Sequence, residues 1–426
     1  MTYNDFFNLA KEKGLDKVQI TEETVIGSET IVLNDSLEDY STINKITYSV
    51  KAEKNNKTEK ISTDYLDQTI IDLLIEKLDS TDSNYQDTYL ENKKTLEQNK
   101  DINITINKEV ERLKEFNKLK SKYKHITNIE NYYAESYEKT KIINNLNTNI
   151  STDSHTYKYI VEATAKENDK IANYSKSILV TNKEKIDFEQ LANIAMERAE
   201  LSLNKQKLET KKYSILLDSS VVSSIISRIA AMLSSELIRQ KISCLANSLN
   251  EKKFSNKLTI VEMPQNRTYP GYTIFDNEGT TTINKKIIDK GIIKTYLYNN
   301  KEANLENVDS TGNGYDSIST RNMYIEPTTK SLEDIIKSIK DGIYVTDFMG
   351  AQNTAISCST GNISLQIFGF IIQDGEIVSS FTPCIMTTTI FELFSNIEEI
   401  ASDLTFEKKT SASPSILVSN ISIAAE

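Results

Sequence analysis

The first half of the chain contains two stretches with the same order of hydrophobic and polar patterns. In residues 1–80, an amphipathic helical segment precedes runs of alternating residues and a second segment with apolar positions three and four apart. Residues 106–205 repeat this order, and the closing segments KISTDYLDQTIIDLLIEKL and VTNKEKIDFEQLANIAMERA resemble each other. Alternation predicts strands, and spacing of three or four predicts helices. We therefore predict an N-terminal α+β domain, residues 1–205, built from a duplicated helix–strands–helix unit.

The second half has a different pattern, in which turns separate many short apolar runs. One long helix is predicted over roughly residues 220–240, and shorter ones after Ser331 and near 391–403. Asp374-Gly375, between FGFII and EIVSSF, predicts a two-residue hairpin. The expected fold class is α+β, with residues 206–426 forming a β-rich C-terminal domain that contains embedded helices.

Charge and composition narrow the class of protein. The formal net charge is −11, which disfavours nonspecific binding to nucleic acid or to anionic membranes, because both need a basic face. The longest apolar runs fall far short of the roughly 20 residues of a membrane helix. The N-terminus lacks the pattern of a signal peptide, and the three cysteines form no CxxC pair. We expect a cytoplasmic protein that binds neither nucleic acid nor a membrane.

Few residues are available for metal or nucleophile chemistry. The only histidines, His125 and His155, lie in polar, strand-like contexts in the first half, where surface positions are the usual interpretation. Cys358 has no histidine near it in the sequence that could act as its base. The chain contains no phosphate-binding loop or dinucleotide fingerprint. We therefore predict no cofactor, no metal and no catalytic residue.

Four segments of the second half occur in an order that resembles the TldD/PmbA family of metallopeptidase subunits. They are FDNEG (275–279), STGNG (310–314), DGIYVTDFMG (341–350) and STGNISLQIFGFIIQDGEIVSSF (359–381). The duplicated layout of the first half also fits this family. The resemblance therefore covers nearly the whole chain and implies its two-domain α+β fold.

The resemblance also separates two branches of the family. The TldD branch carries an HExxxH motif on the long helix, where two histidines bind zinc and a glutamate activates water. In this chain the two histidine positions fall on Ser227 and Met232, and the glutamate position falls on Arg228. Serine and methionine are poor zinc ligands, and arginine repels a cation. The segment SSELIRQKISCLANSLNEKKFSNKLTI resembles the PmbA branch, also called TldE, which lacks the metal.

The resemblance implies a function for the chain as one subunit of a complex. It is expected to be the non-metal partner of a TldD-type zinc peptidase, in a heterodimer that cleaves small or unfolded peptides, including during peptide maturation. The alternative is a homodimer that binds peptides or acts as a scaffold without hydrolysis. A peptidase with an unrelated serine or cysteine mechanism has little support, because the sequence shows no nucleophile–base set.

The candidate substrate-binding residues lie in the shared motifs, and each has a structural alternative. Two carboxylates two positions apart could contact a peptide amine, act as acid and base, or hold a turn beside a glycine. The second motif could present backbone N–H groups to a peptide or form a tight turn. The helix over 220–240 could line a chamber or serve only as packing. The candidates are Asp276, Glu278, Gly279, Thr311, Gly312, Asn313, Gly350 and Gly361.

Overall fold

The six strands of the first half pair into one antiparallel sheet in the computed structural model, which describes residues 1–81, 87–94, 107–349 and 355–425. The strand order is β3-β2-β1-β4-β5-β6, so the two units that the sequence analysis predicts as repeats meet where β1 pairs with β4. The strands are β1 (Lys17–Leu33), β2 (Ser36–Lys54), β3 (Lys57–Thr63), β4 (Ile126–Asn144), β5 (Asn149–Glu167) and β6 (Lys170–Val180).

Each unit has its own helices and its own apolar core. The helices are α1 (Tyr3–Glu12), α2 (Gln68–Ser80), α3 (Asn107–Glu115) and α4 (Phe188–Leu201). In the first unit α1 and α2 bury Phe6 and Leu74 against Ile20 of β1. In the second unit Phe188 of α4 packs against Tyr159 of β5, with ring centroids 4.6 Å apart. Burial of these apolar faces holds both helix pairs on the shared sheet.

The second half contains two further sheets. Its strands are β7 (Lys205–Gln206), β8 (Lys211–Leu217), β9 (Ile260–Glu262), β10 (Lys285–Asp289), β11 (Ile292–Ile293), β12 (Met323–Ile325), β13 (Asp341–Met349), β14 (Asn362–Gln373), β15 (Glu376–Phe381), β16 (Cys384–Thr389), β17 (Ile397–Ile400), β18 (Thr405–Phe406), β19 (Ser411–Ser413) and β20 (Ile416–Ala424). In the larger sheet β13 pairs with both β8 and β14, so the path β13-β8-β20-β16-β14 returns to β13. These five strands form a closed barrel.

The described residues of this half include five helices embedded among these strands. They are α5 (Ser219–Met232), α6 (Ser235–Arg239), α7 (Asn300–Glu306), α8 (Leu332–Ser338) and α9 (Ile390–Ser395). Helix α5 lies between the barrel and the smaller sheet β11-β10-β9-β12-β19-β18. Its apolar face, including Val222, Ile226 and Ile229, belongs to the largest buried cluster of the described residues.

The predicted long helix over 220–240 is two helices. The N–H of Ser235 donates to Leu297 O, and the N–H of Leu297 donates to Leu233 O, both at 2.9 Å. These bonds draw the backbone out of the helix after Met232. The helix predicted near 391–403 is also shorter, because Ile397–Ile400 pairs with β20 as a strand.

The predicted α+β class and the predicted hairpin are confirmed. Asp374 and Gly375 have φ of 47° and 83° and connect β14 to β15. This geometry matches the right-handed twist of the two strands. Within the described ranges, no helix is both long and apolar enough to span a bilayer.

Candidate functional site

The motifs FDNEG and STGNG lie against each other around the side chain of Asp276. Its Oδ1 accepts the N–H groups of Glu278 and Thr280 at 3.0 and 2.9 Å, and its Oδ2 accepts the N–H of Gly314 at 2.8 Å. A Cβ at Gly314 would lie 2.3 Å from Glu278 Oε2, so the two loops approach as closely as a glycine allows. Asp276 thus joins the two motifs through backbone N–H groups.

Glu278 joins the first motif to helix α7. Its Oε2 accepts the N–H of Asn300, the first residue of that helix, at 2.7 Å. Gly279 follows with φ of 87°, in the left-handed region that the turn requires. Substrate contact by these residues remains a prediction, while their observed bonds hold the loops in place.

Burial sets the charge state of this pair. Asp276 is 1% exposed, and burial together with the neighbouring Glu278 carboxylate raises the pKa of Asp276 to about 7, despite the three N–H donors. Burial also raises the pKa of Glu278 above its usual value. Near neutral pH the pair can therefore gain or lose a proton.

The second motif continues into a buried polar network. Asn313 is fully buried, and its Nδ2 donates to Glu262 Oε1 at 2.9 Å and to Ser319 O at 2.8 Å. Thr311 Oγ1 donates to Asn313 Oδ1 at 2.7 Å, and Lys285 Nζ lies 2.6 Å from Glu262 Oε2. These bonds make the network a rigid support for the loop.

Gly312 and Gly361 both adopt positive φ, and the remaining predicted glycine is undescribed. Gly312 has φ of 71°, and a Cβ there would lie 2.8 Å from Thr281 O. Gly361 has φ of 74° and lies near Cys244, whose Sγ would be 3.4 Å from an added Cβ. Gly350 lies outside the described residues. The described glycines therefore occupy positions where a larger residue would be strained.

The three side chains of α5 that the resemblance aligns with a zinc motif have other contacts. Ser227 Oγ donates to Ser223 O at 2.9 Å and lies 2.6 Å from Ser411 Oγ. Arg228 Nη2 lies 2.9 Å from Cys358 Sγ, and Met232 is fully buried. A cationic guanidinium and a thioether in the core do not fit a zinc ion that needs nitrogen, thiolate or carboxylate ligands. No cluster of three or more His, Cys, Asp or Glu residues suited to a metal occurs in the part of the chain that the structure describes.

A groove of about 620 Å³ runs between strand β6 and the barrel. Residues 171–177 of β6 form one wall, and the half-buried Phe368 contributes aromatic surface to the other, with Phe370 and Phe381 buried beneath it. Strand β6 is the last strand of its sheet, so its backbone on the groove side has no strand partner among the described residues. The groove therefore combines an open strand edge with apolar surface and polar groups.

A buried ion pair lies at the groove and connects the two halves of the chain. Lys176 Nζ of β6 lies 2.7 Å from Asp218 Oδ2, which also accepts the hydroxyl of Tyr344 at 2.5 Å. Asp218 caps α5, because its Oδ1 accepts the N–H of Ser220 at 3.1 Å. Asp218 is 1% exposed, so its carboxylate and the Lys176 ammonium group interact in a low-dielectric environment.

Neighbouring groups stabilise the charges of this pair. Burial alone would raise the pKa of Asp218, but Lys176 and the hydrogen bonds from Lys176, Tyr344 and Ser220 lower it below its usual value. Burial likewise opposes the charge of Lys176, and Asp218 more than compensates, so the pKa of Lys176 is raised. Burial raises the pKa of Glu407, which also lines the groove. The groove wall thus carries an ionised pair beside a carboxyl group that holds its proton more tightly.

Sequence reasoning missed this ion pair. A signal for Asp218 exists, because an aspartate followed by two serines before an apolar helix is typical of an N-cap. Lys176 lies 42 positions earlier, in strand β6 of the N-terminal sheet, and the residues around it carry no such signal. Only the packing of β6 against the barrel brings the two residues together.

Comparisons with known proteins agree on the family. The model of the PmbA/TldA metallopeptidase C-terminal domain matches residues 210–425. A "Metalloprotease PmbA homolog" from Buchnera aphidicola subsp. Baizongia pistaciae is 30% identical over 237 residues, 55% of this chain and 51% of the relative. "Metalloprotease PmbA" from Escherichia coli O157:H7 is 26% identical over 47% of this chain and 44% of its own length. The chain thus matches about half the length of these curated relatives.

Solved structures show the same fold over the whole chain. The crystal structure of TldE from Thermococcus kodakarensis has a TM-score of 0.86 at 20% identity and covers 99% of both chains. A structure from Thermotoga maritima, described as a putative modulator of a DNA gyrase, has a TM-score of 0.87 at 23% identity and covers 99% of this chain and 100% of its own.

The Asp276→Asn variant is expected to change how stability depends on pH. Because the pKa of Asp276 is raised in the folded state, its contribution to stability is complete below the unfolded value of 3.8 and is lost as pH rises through about 7. The stability of the unaltered protein relative to Asp276→Asn should therefore fall between pH 4 and pH 7. Urea unfolding of both proteins across this range measures the difference, and a constant difference would contradict the assignment.

The Lys176→Met variant is expected to lose about 3–5 kcal/mol of stability, because it leaves the buried carboxylate of Asp218 without its cation. The double variant Lys176→Met/Asp218→Asn should recover part of this loss. Tyr344→Phe is the matched control, since it removes one hydrogen bond to the same carboxylate but keeps its cation, and should cost about 1.5–3 kcal/mol. Urea unfolding tests all three. A loss for Lys176→Met no larger than that for Tyr344→Phe would show that the ion pair is unimportant.

Proposed function

The chain belongs to the PmbA/TldD metallopeptidase family, and on this premise we propose that it is the non-metal subunit of a two-subunit peptidase. Its partner would be a zinc-bearing chain of the TldD type. Within the complex, this chain would bind extended peptide and shape the path to the partner's metal. The complex would cleave small or unfolded peptides, as in peptide maturation.

The environment of Arg228 is the observation that carries this proposal. The resemblance aligns Arg228 with the glutamate that activates water in the zinc-bearing branch. Here its guanidinium lies against Cys358 Sγ and 3.4 Å from Ile356 O. A positive charge at this place opposes both metal binding and activation of a metal-bound water. The chain thus combines the fold of the peptidase family with side chains that suit a subunit without a catalytic metal.

The groove along β6 supports a role in peptide binding. An extended peptide can add to an open strand edge through backbone hydrogen bonds, while surrounding surface accommodates alternate side chains. Strand β6 offers such an edge along residues 171–177, and the half-buried Phe368 offers apolar surface beside it. Lys176 and Asp218 neutralise each other, so the groove does not demand a strongly charged peptide.

Mixing the chain with a TldD-type partner from the same source tests the assembly. The chain alone is expected to hold no stoichiometric zinc and to cleave no peptide, since Ser227, Arg228 and Met232 do not suit the metal. The one-to-one mixture should cleave a flexible peptide faster than the partner alone. Metal analysis and peptide hydrolysis by mass spectrometry provide the readouts.

Two results of this experiment would contradict the proposal. If the mixture and the partner alone hydrolysed the peptide at the same rate, this chain would have no role as a subunit of the peptidase. One zinc per isolated chain, or cleavage by the isolated chain, would show that the alignment of Ser227, Arg228 and Met232 with the ligand positions is wrong. The partner's own activity serves as the baseline for both comparisons.

A pair of peptides tests binding along β6. An unmodified apolar peptide is expected to bind the chain, whereas N-methylation at alternate residues should weaken binding about tenfold by removing two backbone donors. N-methylation of the other alternate peptide residues, whose N–H groups point away from β6, should have little effect on binding. Fluorescence anisotropy measures all three peptides, and equal affinities would contradict strand addition.

Two tryptophan variants locate the peptide. Ser175 lies in the groove on β6, and Ser62 is an exposed residue of β3, the strand at the opposite edge of the same sheet. Ser175→Trp should abolish peptide binding by filling the groove, and Ser62→Trp should leave it unchanged. The same affinity loss in both variants would place the peptide elsewhere.

A further inference from the structure

We propose that the open edge of β2, residues 36–47, pairs with the same edge of a second copy of this chain. Strand β2 extends from Ser36 to Lys54, but β3 pairs only with Tyr48–Lys54. Among the described residues, 36–47 therefore have a strand partner on the β1 side only, and on the outer side Lys45 Nζ lies 4.0 Å from the exposed Asp64 Oδ1. Unpaired strand edges readily bind a further strand, because their N–H and C=O groups lack partners.

The open edge is apolar at several points and accessible throughout. Every residue from 36 to 47 is exposed or half-buried. Leu37, Ile43 and Ile46 are 46%, 37% and 42% exposed. Such a segment gains contacts from a partner strand that covers it.

A bulge determines which of these side chains share a face. Ile31 of β1 lies opposite Asp39, and the next residue, Val32, lies opposite Leu37, so Glu38 is an extra residue in β2. An extra residue shifts the alternation by one position. Leu37 consequently shares its face with Thr42 and Ile46 rather than with Asp39.

Symmetry restricts how two such edges can pair. Two copies related by a two-fold axis pair antiparallel, and the residue on the axis lies opposite itself. With Thr42 on the axis, and the bulge taken into account, Asp39 lies opposite Lys45 and Leu37 lies opposite Ile46. Ser36 then lies opposite Thr47, so the whole open edge matches itself from end to end.

The neighbouring registers match less well. With Ser41 on the axis, Asp39 would lie opposite Ile43, and Leu37 would lie opposite Asn44. With Ile43 on the axis, Lys45 would face Ser41, and Leu37 would reach Tyr48, where β3 begins to pair. Only the Thr42 register among these gives two Asp39–Lys45 pairs and two Leu37–Ile46 pairs. Opposite charges and apolar pairs at directly facing positions stabilise paired strands.

This contact is separate from the proposed peptide groove. The groove lies along β6, at the far end of the strand order β3-β2-β1-β4-β5-β6. Four strand spacings separate β2 from β6, roughly 19 Å at the usual distance between neighbouring strands. A dimer through β2 therefore leaves the β6 edge accessible in both copies.

Cysteine cross-linking tests the register directly. In Thr42→Cys the two introduced residues should lie opposite each other, with Cα atoms about 4.5–5.5 Å apart, which suits a disulfide. In the control Asn44→Cys the two residues should be four positions out of register, roughly 13 Å apart, which is too far. Oxidation should give a covalent dimer with Thr42→Cys alone, and peptide mapping distinguishes it from links through the native cysteines.

Charge reversal provides an independent measurement in solution. Asp39→Lys and Lys45→Asp should each weaken self-association about tenfold, because each places like charges opposite one another at two symmetric positions. The double variant Asp39→Lys/Lys45→Asp should restore the affinity of the unaltered chain. Sedimentation equilibrium on the chain alone measures all four proteins.

The outcomes separate this contact from other partners. A monomer at high micromolar concentration, or equal cross-linking of Thr42→Cys and Asn44→Cys, would overturn the proposal. A Thr42→Cys link that forms only to a zinc-bearing chain would overturn self-pairing and assign the edge to that partner. A monomeric chain that still activates a zinc-bearing partner would leave the proposed function intact.

Discussion

The ion pair between Lys176 and Asp218 is the interaction on which the arrangement of the two halves most depends. It joins the last strand of the N-terminal sheet to the cap of α5, and Tyr344 of the barrel donates to the same carboxylate. A buried charge without its partner is costly, so this pair restricts how β6 can sit against the barrel. The pair lies at the wall of the groove between them, which Lys176 lines.

The family motifs and helix α5 differ in what they contribute. The motif loops are held by Asp276 and Asn313, whose side-chain bonds go to backbone and to buried partners. Such networks maintain a scaffold whether or not a metal is bound. Helix α5 packs within that scaffold, and its Ser227, Arg228 and Met232 side chains contact other residues of the core.

The N-terminal sheet has two unequal edges. One ends in β3, which covers only part of β2, and the other ends in β6 beside the barrel. One edge is exposed to solvent along 36–47, whereas the other lines a groove. A sheet with both edges open can bind different partners at the two ends, and the side chains on each edge restrict which strand can pair.

Local patterns in the sequence determined the secondary structure and the family. Alternation predicted strands, Asp374-Gly375 predicted its hairpin, and the motif order indicated the family and its fold. Tertiary structure decided where α5 ends, because Leu297 pairs with the chain at Leu233 and Ser235. Tertiary structure also formed the groove and its ion pair. Lys176 lies in β6 and Asp218 caps α5, so the two residues meet only when the two halves of the chain pack together. Sequence periodicity reports which face a residue occupies, whereas contacts between distant segments depend on burial and backbone pairing across the whole fold.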